Sequence, residues 1–348
     1  MTQDDKTKYR VGIVGAGFGV RVHLPAFSAH PKFEVVALAS PHNAQTIAAE
    51  RKIPHAFSSC KELLDGADVD VVSIAAPPFT HYDDVLAALA AGKHVLCEKP
   101  FALNVQQAEE MLAAAQRAGT ATAVMHEFRW VPQRVAIKEL VDNRHLNPLR
   151  EIECTQLSGR LRADVERANS WWFDRQRGGG MAGALLSHLI DGANWIAGRA
   201  PVRSTGYLRT ANPQRRDPSG NTFTSTVDDG CFALLDYGEG LTARLTVDGT
   251  TAVDSFTMAV HAENRTAVAS GSDFFKTRLF SVDADETAEL ECKPSPYEKF
   301  ASIDPQVPLV LHLLDEFVKQ IETEKSAVPT FAEAVATQHV LASIGYGA

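Results

Sequence analysis

The stretch YRVGIVGAGFGVRVHLPAF, residues 9–27, decides the fold of the first part of this 348-residue chain. Its first six residues, 9–14, are mostly apolar, and continuous apolarity is typical of a parallel strand buried on both faces. Three glycines follow within five residues, and another apolar segment comes after them. The stretch therefore predicts a strand, a tight turn and a helix in direct succession.

Four more apolar, mostly β-branched runs repeat the strand pattern, at residues 33–39, 71–76, 94–97 and 120–124. Helix signals separate these runs. Ser59 and Glu62 form a capping-box pattern, and Gly92 and Gly119 close two helical segments. Strands that alternate with helices through short connectors predict a doubly wound parallel sheet, which is an α/β fold.

Beyond the last of these runs the pattern changes. Longer strand-like runs are joined by Gly, Asn and Asp turns, and DYGEG at residues 236–240 is a hairpin signal. We therefore predict two domains: residues 1–125 with the parallel sheet, and residues 126–348 as an α+β domain with a large, mostly antiparallel open sheet. Two helices within residues 307–346 are expected to pack back near the first domain. The polar residues 210–225 are predicted to form a mobile loop.

The charge balance argues against two classes of partner. Lys and Arg number 34 against 43 Asp and Glu, a net charge of −9, so neither a nucleic acid nor an anionic membrane is expected to bind. No apolar run reaches the roughly 20 residues that span a bilayer, and the polar, acid-containing start is unlike a signal peptide. The five cysteines are scattered without a C-x-x-C pair, which favours free thiols in a reducing cytoplasm and no metal site.

The glycine-rich turn has part of the spacing of a phosphate-binding loop. Gly15 and Gly17 fit the G-x-G pattern, but the third expected position is Val20, and Gly19 comes one residue early. Such a turn lets backbone amides approach a pyrophosphate, and the N-terminus of the following helix adds partial positive charge. A dinucleotide site is therefore predicted here. The alternative is a tight strand-to-helix turn that binds no ligand.

The end of the second strand bears on which dinucleotide binds. An acidic residue there usually binds the ribose hydroxyls of NAD, whereas this chain has Ser40, His42 and Asn43. A neutral hydroxyl leaves room for a 2′-phosphate, so NADP is slightly favoured over NAD. No arginine stands directly beside these residues, and Arg21 is the candidate to lie near them.

Four motifs together resemble one known family: GIVGAGFG, APPFTHYDDVLAALAAGKHVLCEKP, HEFRWVP and GGGMAGALLSHLID. Over nearly all its length, the chain is similar to the family of glucose–fructose oxidoreductase, inositol dehydrogenase and MocA-like proteins. The resemblance implies a Rossmann domain, a second domain whose open sheet often serves oligomerisation, and NAD(P)-linked oxidation or reduction of a sugar, polyol or related carbonyl. The predicted cofactor-binding residues are Gly15, Gly17, Phe18, Gly19, Val20, Ser40, His42, Pro77, His81, Glu98, Lys99 and Arg129.

Lys99 lies in AGKHVLCEKP, the most specific of the matching segments. It ends a predicted strand at the carboxyl edge of the sheet, where doubly wound folds bind ligands. Pro100 disfavours helical geometry at Lys99 and holds it extended. We expect the Lys99 amine to exchange a proton with a substrate hydroxyl, with Glu98 placed to orient or neutralise it. The alternative is a surface ion pair at a strand end, which contributes little.

The second-domain motif supplies His188 and departs from the family at one position. Family members typically carry Asp four residues before this histidine, and here that position is Ala184. Three interpretations stay open: Lys99 and His188 suffice, with Asp191 or water filling in; the chain is an NAD-dependent glycosidase; or it is a non-catalytic dinucleotide-binding regulator. The first is favoured, because histidine serves as a general acid or base near neutral pH.

Two aromatic residues before this motif are candidates for the substrate site. Trp171 and Trp172 precede the three glycines, and aromatic faces suit the apolar faces of a sugar ring. The alternative is a hydrophobic plug between the domains. The predicted substrate-binding residues are Lys99, Trp171, Trp172, Ala184 and His188.

Taken together, these features predict a cytoplasmic, NAD(P)-dependent oxidoreductase that transfers hydride between a nicotinamide and a carbohydrate-like small molecule. Lys99 and His188 are the predicted catalytic residues, and no metal is expected. Because an exposed antiparallel sheet usually needs a partner, we also predict a homodimer or homotetramer formed through the C-terminal sheet.

Overall fold

The computed structural model describes residues 8–323 and 325–347, which divide into two compact units. The first unit consists of the described part of Met1–Ala102 together with Gln106–Glu127 and the described part of Ser295–Val335. The second consists of Leu103–Val105, Phe128–Pro294 and the described part of Ala336–Ala348. The predicted domain boundary between residues 125 and 126 stays a prediction.

Parallel strands form the sheet of the first unit. They are β1 (Tyr9–Val14), β2 (Phe33–Ala39), β3 (His55–Phe57), β4 (Val71–Ile74), β5 (His94–Cys97) and β6 (Thr122–Val124). Their order is β3-β2-β1-β4-β5-β6 and every neighbouring pair is parallel, which confirms the predicted α/β fold. The sequence did not predict β3, because three residues that begin with the exposed His55 make no apolar run.

The helices of the described residues are α1 (Leu24–Ala29), α2 (Ala44–Arg51), α3 (Cys60–Gly66), α4 (Pro78–Ala90), α5 (Val105–Ala118), α6 (Pro132–Asp142), α7 (Ser187–Ala197), α8 (Val307–Thr323) and α9 (Phe331–Ser343). The predicted capping box starts α3, where the Ser59 hydroxyl accepts a hydrogen bond from the Glu62 amide at 3.2 Å. Gly92 and Gly119 follow α4 and α5 with φ of 69° and 64°, the left-handed conformation that ends helices. Within residues 8–323 and 325–347, no helix combines the length and the apolarity that crossing a bilayer requires.

The core of the first unit joins the start of α9 to the parallel sheet. Phe331 packs against Phe101 with ring centroids 4.5 Å apart, and both rings are buried. The same buried cluster contains Ile74 and Cys97, the last residues of β4 and β5. The segments that leave these two strands therefore start from a well-packed core.

The second unit contains the larger sheet. Its strands are β7 (Leu149–Leu157), β8 (Arg203–Arg209), β9 (Gln214–Arg216), β10 (Thr222–Thr224), β11 (Gly230–Asp236), β12 (Thr242–Asp248), β13 (Ser255–Ala262), β14 (Thr266–Gly271), β15 (Thr277–Val282) and β16 (Thr287–Leu290). Eight of them form a sheet in the order β16-β15-β14-β13-β7-β12-β11-β8, in which the β7–β12 pair is parallel and the other pairs are antiparallel. This confirms the predicted α+β domain with a large, mostly antiparallel sheet. The predicted DYGEG hairpin joins β11 to β12, with Gly238, Glu239 and Gly240 at positive φ.

Residues 214–224 form a hairpin, so the prediction of a mobile loop over residues 210–225 is wrong. Strands β9 and β10 pair antiparallel within this segment. The Asp217 carboxylate accepts hydrogen bonds from the amides of Ser219 and Asn221, each at 2.9 Å, and so closes the turn. The polar composition hid these strands, because their packing depends on residues that are remote in the sequence. The ring centroid of Phe223 lies 5.1 Å from that of Phe173, and the buried Arg215 donates to the Leu161 carbonyl at 2.7 Å.

Candidate active site

The glycine turn after β1 places backbone where side chains do not fit. Gly15 has a φ of 110°, in the left-handed region, and a Cβ atom there would lie 2.3 Å from the carbonyl oxygen of Ala75. The Gly15 amide also donates to the Ala39 carbonyl at 2.9 Å. Gly15 is therefore required by the close approach of the chain at the ends of β1, β2 and β4.

Gly17 and Gly19 serve different purposes in the same turn. Apart from Gly17 and its two chain neighbours, no described residue has an atom within 4 Å of a Cβ atom added at Gly17, so open space borders the backbone there. At Gly19 the added Cβ atom would lie 2.9 Å from Cγ2 of Ile13, because the helical segment packs closely on β1. A tight turn, open space beside the backbone and close helix–strand packing are what a dinucleotide pyrophosphate requires. These residues therefore fit a dinucleotide.

The chain continues from this turn as a π-helical segment, Gly19–His23, that leads directly into α1. Such segments are frequent at functional sites. The ring of Phe18 packs edge-on against His23 with centroids 5.4 Å apart, and Val20 is half-buried. Phe18 thus helps to fix the imidazole of His23, and contact of Phe18 or Val20 with a cofactor stays a prediction.

The residues predicted to distinguish NADP from NAD lie at the end of β2. The Ser40 hydroxyl donates to the side-chain oxygen of Asn43 at 2.8 Å, and His42 is exposed. Arg21 is mostly exposed, and its guanidinium lies 3.4 Å from the Asp304 carboxylate. The end of β2 therefore presents neutral hydrogen-bonding groups, and Arg21 is held by an acid in the same unit.

His81 lies buried in the first turn of α4. Its Nδ1 atom is 3.1 Å from the Pro100 carbonyl oxygen, and its Nε2 atom is 2.9 Å from the Ala76 carbonyl oxygen. Burial lowers the pKa of His81, against the opposing effect of these carbonyls and of Glu98. The ring therefore joins the segments that leave β4 and β5. Direct contact of His81 or the half-buried Pro77 with a cofactor stays a prediction.

Glu98 and Lys99 form a mostly buried charged pair at the end of β5. The Nζ atom of Lys99 lies 3.8 Å from Oε2 of Glu98, and the side chains are 18% and 7% exposed. The Lys99 amide donates to the same carboxylate oxygen at 3.2 Å. The amine of Lys99 therefore lies at the carboxyl edge of the sheet with a carboxylate beside it.

The other oxygen of Glu98 leads to two residues that the sequence did not predict. His23 Nε2 lies 2.9 Å from Oε1 of Glu98, and His23 Nδ1 lies 2.7 Å from Oγ of Ser73. Burial alone would raise the pKa of Glu98, but the hydrogen bond from His23 and the charge of Lys99 lower it overall. These contacts join residues 50 and 75 positions apart. The available sequence signal is a histidine four residues after Gly19.

In the second unit, His188 lies in α7, which the π-helical segment Ala182–Leu186 introduces. The imidazole stacks on the ring of Phe128, with centroids 3.9 Å apart and planes 18° apart. His188 is buried, whereas Ala184 and the following Leu185 are half-buried. The position at which the family typically carries Asp therefore holds a small, partly accessible side chain.

Asp191, one turn after His188, has a partner of its own. Both of its carboxylate oxygens accept hydrogen bonds from Arg129, at 2.8 and 2.6 Å, and both side chains are buried. This bidentate geometry is the strongest form of ion pair between these side chains. Asp191 is thus paired with Arg129. The predicted contact of Arg129 with a cofactor stays a prediction.

A second buried carboxylate holds the start of the helix that carries His188. The Ala182 amide donates to the Asp228 carboxylate at 2.7 Å. A Cβ atom at Gly180, whose φ is 102°, would lie 2.4 Å from that carboxylate, and one at Gly179 would lie 2.0 Å from the Trp172 carbonyl oxygen. The glycine run therefore lets the chain approach Asp228. Burial raises the pKa of Asp228 to about 6.

Trp171 and Trp172, the predicted sugar-binding aromatics, are both half-buried. The guanidinium of Arg167 lies 4.7 Å from the centroid of the Trp172 ring, at cation–π distance. Phe173 packs edge-on against Trp172 with centroids 5.0 Å apart. Trp172 is therefore covered in part by its own unit, and the role of both tryptophans in substrate binding stays a prediction.

One group of side chains in the described residues has metal-like spacing, and it lies on the large sheet. Ligand atoms of Glu151, Glu153 and His261 come within 4.8 Å of one another. Arg244 already forms ion pairs with both carboxylates. This group is thus part of a surface charge network, and no metal is assigned to it.

Two family models match the chain over both units. The model described as an oxidoreductase family with an NAD-binding Rossmann fold matches residues 9–126, and the model described as the GFO/IDH/MocA C-terminal domain matches residues 135–268. The chain belongs to the Gfo/Idh/MocA family. The resemblance carried by the four sequence motifs is therefore confirmed, as is the expectation of an NAD-binding oxidoreductase.

Relatives align with this Gfo/Idh/MocA oxidoreductase over most of its length. Uncharacterized oxidoreductase sll0816 of Synechocystis is 29% identical over 94% of this chain and 91% of its own. The scyllo-inositol 2-dehydrogenase (NADP(+)) IolU of Bacillus subtilis is 27% identical over 95% and 94%. The solved structure of a levoglucosan dehydrogenase in complex with NADH superposes with a TM-score of 0.85 over 98% of this chain and 96% of that one, at 21% identity. The last likeness shows the fold alone.

The predicted catalytic residues of this Gfo/Idh/MocA oxidoreductase belong to different units. Lys99 lies in the first unit with the glycine turn, and His188 lies in the second. The structure brings Lys99 together with Glu98 and, through it, with His23. It brings His188 together with Phe128. That Lys99 and His188 act on one substrate stays a prediction.

The open space at Gly17 generates the first testable prediction. We expect Gly17→Ala to fold normally, because its backbone is outside the left-handed region and its added Cβ atom meets no described residue other than its chain neighbours. The methyl group should nevertheless occupy space beside the phosphate-binding backbone and weaken NADPH or NADH binding by about tenfold or more, roughly 1.4 kcal/mol. Calorimetric titration measures this. Gly119→Ala, a strained change at the end of α5, serves as the control that lowers stability and leaves nucleotide affinity unchanged. Wild-type affinity in Gly17→Ala would contradict the assignment of this turn.

The buried Asp228 predicts a particular dependence of stability on pH. Its pKa is raised from 3.8 to about 6 in the folded protein, so the folded state binds a proton more tightly than the unfolded state. The stability contribution is therefore complete below about pH 4 and is lost as the pH rises through about 6, a fall of about 3 kcal/mol.

Asp228→Asn does not titrate and should lack this fall, so the difference in unfolding free energy between the two proteins should move in favour of the variant between about pH 4 and 7. Urea denaturation at several pH values measures the difference. The exposed Asp164, whose pKa the hydrogen bond from Arg162 lowers, gives a control of opposite sign in Asp164→Asn. A pH-independent difference between wild type and Asp228→Asn would refute the prediction.

Proposed function

We propose that this oxidoreductase transfers hydride between a nicotinamide dinucleotide and a sugar, a polyol or a related hydroxy compound. The observation that carries the proposal is the place of Lys99, a mostly buried amine beside a carboxylate at the carboxyl end of β5. Doubly wound folds bind their ligands at this edge of the sheet. When bound, the dinucleotide supplies the hydride acceptor or donor.

Lys99 and His188 handle the proton of the substrate hydroxyl in this proposal. A positioned side chain that takes or gives a proton accelerates a reaction by about 10²–10⁴-fold. The acid that the family typically carries four residues before His188 is replaced by Ala184, and Asp191 accepts hydrogen bonds from Arg129. Proton transfer is therefore assigned to the amine and the imidazole, without an acid at position 184.

NADP is the proposed cofactor in preference to NAD. Support comes from the neutral end of β2, where Ser40 and Asn43 hydrogen bond to each other and no acid stands at the position that would repel a 2′-phosphate. The relative IolU is named for NADP(+). Arg21, whose guanidinium reaches Asp304, is the basic residue that would have to change partner to bind the phosphate.

The substrate proposed is a carbohydrate-like small molecule. Two relatives by sequence or fold are named for such compounds, scyllo-inositol 2-dehydrogenase and levoglucosan dehydrogenase. In this chain, the half-buried Trp171 and Trp172 offer aromatic surface that suits the apolar face of a ring. Ala184 leaves space that the larger acidic side chain would fill. This favours a substrate that has an additional chemical group next to position 184.

A homodimer or homotetramer formed through the large sheet is also proposed. The strands β8 and β11 carry exposed apolar side chains, with Tyr207 60% and Leu234 53% exposed. Exposed apolar side chains on a sheet are typical of a face that another protein surface covers. A second copy of the chain is the occupant that this proposal names.

A cytoplasmic location is proposed because the cysteines are free thiols. All five are free thiols, and four of them are buried: Cys60, Cys97, Cys154 and Cys231. Proteins of oxidising compartments commonly pair their cysteines in disulfides, whereas free thiols are usual in a reducing cytoplasm.

Substitution of the two proposed catalytic residues tests the function. With a panel of sugars and polyols, wild-type protein should change the absorbance of reduced nicotinamide, and faster with NADP than with NAD. Lys99→Ala and His188→Ala should each lower kcat by about 100-fold or more. Lys61→Ala, which removes an exposed lysine of the first unit, is the matched control.

The same assay separates the other interpretations of the chain. Release of a leaving group from glycosides without net change in reduced cofactor would identify a glycosidase instead. Tight dinucleotide binding with neither signal would identify a regulator. Lys99→Ala with wild-type turnover would refute the assigned role of Lys99.

The proposed sheet interface is tested by a single charge. Leu234→Glu places a carboxylate in the middle of the exposed face and should convert a dimer or tetramer into smaller species. Analytical ultracentrifugation measures the mass of both proteins. Ile303→Glu adds the same charge at an exposed residue of the first unit and should leave the assembly intact. A monomeric wild-type protein would disprove the proposal.

A further inference from the structure

A chain of hydrogen bonds reaches Lys99 from inside the first unit. It begins at Ser73 in β4, passes through His23 in the π-helical segment, and ends at Glu98 beside Lys99. The successive separations are 2.7 Å from Ser73 Oγ to His23 Nδ1, and 2.9 Å from His23 Nε2 to Glu98 Oε1. The second oxygen of Glu98 lies 3.8 Å from Nζ of Lys99. Residues from three separate segments thus converge on one carboxylate.

The chemistry of these groups fixes the direction of each hydrogen bond. An ionised carboxylate only accepts, so His23 Nε2 carries the proton and donates to Glu98. In a neutral imidazole the other nitrogen is then an acceptor, so the Ser73 hydroxyl donates to His23 Nδ1. Ser73 therefore selects the tautomer of His23 in which Nε2 carries the proton and donates to Glu98.

Burial decides what this arrangement can do. Ser73 and His23 are both 0% exposed, so neither meets a substrate. A serine, a histidine and a glutamate in line resemble the machinery of nucleophilic catalysis, but a fully buried hydroxyl has no access to an ester or an amide. The two residues can act only through Glu98.

The charge of Glu98 needs the donors around it. A buried carboxylate is costly unless hydrogen bonds and opposite charges compensate it. The first unit supplies the His23 donor, the Lys99 amide and ammonium, and the imidazole of His81 from α4 at longer range. The neighbouring thiol of Cys97 stays protonated, because burial first and then the charge of Glu98 raise its pKa. His23 is the donor that holds the oxygen facing away from Lys99.

We propose that His23 and Ser73 are positioning residues for Lys99. They keep Glu98 ionised and turned so that its second oxygen faces the amine. A fixed carboxylate at this distance favours the positive charge that Lys99 gains when it accepts a hydroxyl proton. It also limits the directions in which the amine can point. The kinetic consequences rest on the proposed function, whereas the effect on the charge of Lys99 does not.

Substitutions at His23 and Glu98 test the proposal without a substrate. Reductive methylation with ¹³C-labelled formaldehyde makes each lysine visible by NMR, and the signal lost in Lys99→Arg identifies Lys99. The titration midpoint of that signal should be lower in His23→Leu and in Glu98→Gln than in the wild type, since the opposite charge is weakened or removed. His23→Gln keeps an N–H donor for Glu98 and an acceptor for Ser73, and it should restore the midpoint. His55→Leu, at an exposed histidine of β3, is the control.

Kinetics with an active substrate supply the second readout. In the oxidation direction Lys99 must be uncharged to accept a proton, so the rising limb of the kcat/KM profile should move to lower pH in His23→Leu, in parallel with the NMR midpoint. Its kcat should fall about tenfold or more, with nucleotide affinity within about twofold of wild type. His23→Gln should recover most of the lost rate. A failure of every substrate together with the expected NMR shifts would reject the proposed function and leave this inference standing.

Two results would overturn the inference. One is an unchanged Lys99 midpoint in Glu98→Gln and His23→Leu. The other is an equal loss of rate in His23→Leu and His23→Gln without movement of the pH limb, which a merely structural role would give. If His23→Leu fails to fold by circular dichroism, Ser73→Ala decides, because it removes only a buried hydroxyl. It should lower the midpoint in the same direction by a smaller amount, and a wild-type midpoint there would reject the proposal.

Discussion

The need to keep one carboxylate ionised inside the first unit ties the candidate site together. Glu98 is 6% exposed, and at that burial an uncompensated charge would be lost to protonation. The donor that compensates it, His23, is placed by the same segment whose glycines fit a dinucleotide. Close packing of Gly19 on Ile13 sets the path of that segment. The phosphate-binding turn and the setting of Lys99 are therefore consequences of one piece of local geometry.

The second unit uses a buried carboxylate differently. Asp228 accepts the amide of Ala182 at the start of the helix that carries His188, and burial raises its pKa to about 6. Glu98 is also buried, yet its pKa is lowered, because a histidine and a lysine surround it. Neutral amide donors orient a carboxylate, whereas a histidine donor together with a nearby ammonium also keeps it charged. Asp228 is therefore suited to fixing a helix, and Glu98 to influencing the charge of an amine.

Local patterns in the sequence predicted most of the fold, because parallel strands and capped helices leave signals within a few residues. β1 and the capping box of α3 are examples. The hairpin at residues 214–224 was not predicted, since its Phe223 packs against Phe173, which is remote in the sequence. In the candidate site, the sequence indicated residues that lie within a motif of their own, such as Lys99, whose role stays a prediction. The site was missed where the partner is remote: His23 meets Glu98 across 75 positions, and Asp191 meets Arg129 across 62.

The alanine at position 184 can be understood in these terms. An acid four residues before His188 would supply a negative charge for proton handling. This chain has alanine at that position and keeps the histidine. The first unit already holds an ionised carboxylate 3.8 Å from the Lys99 amine, buried and fixed by His23. In the proposed function, the carboxylate that favours the charged lysine therefore lies in the first unit, and the half-buried Ala184 leaves room for a larger substrate in the second.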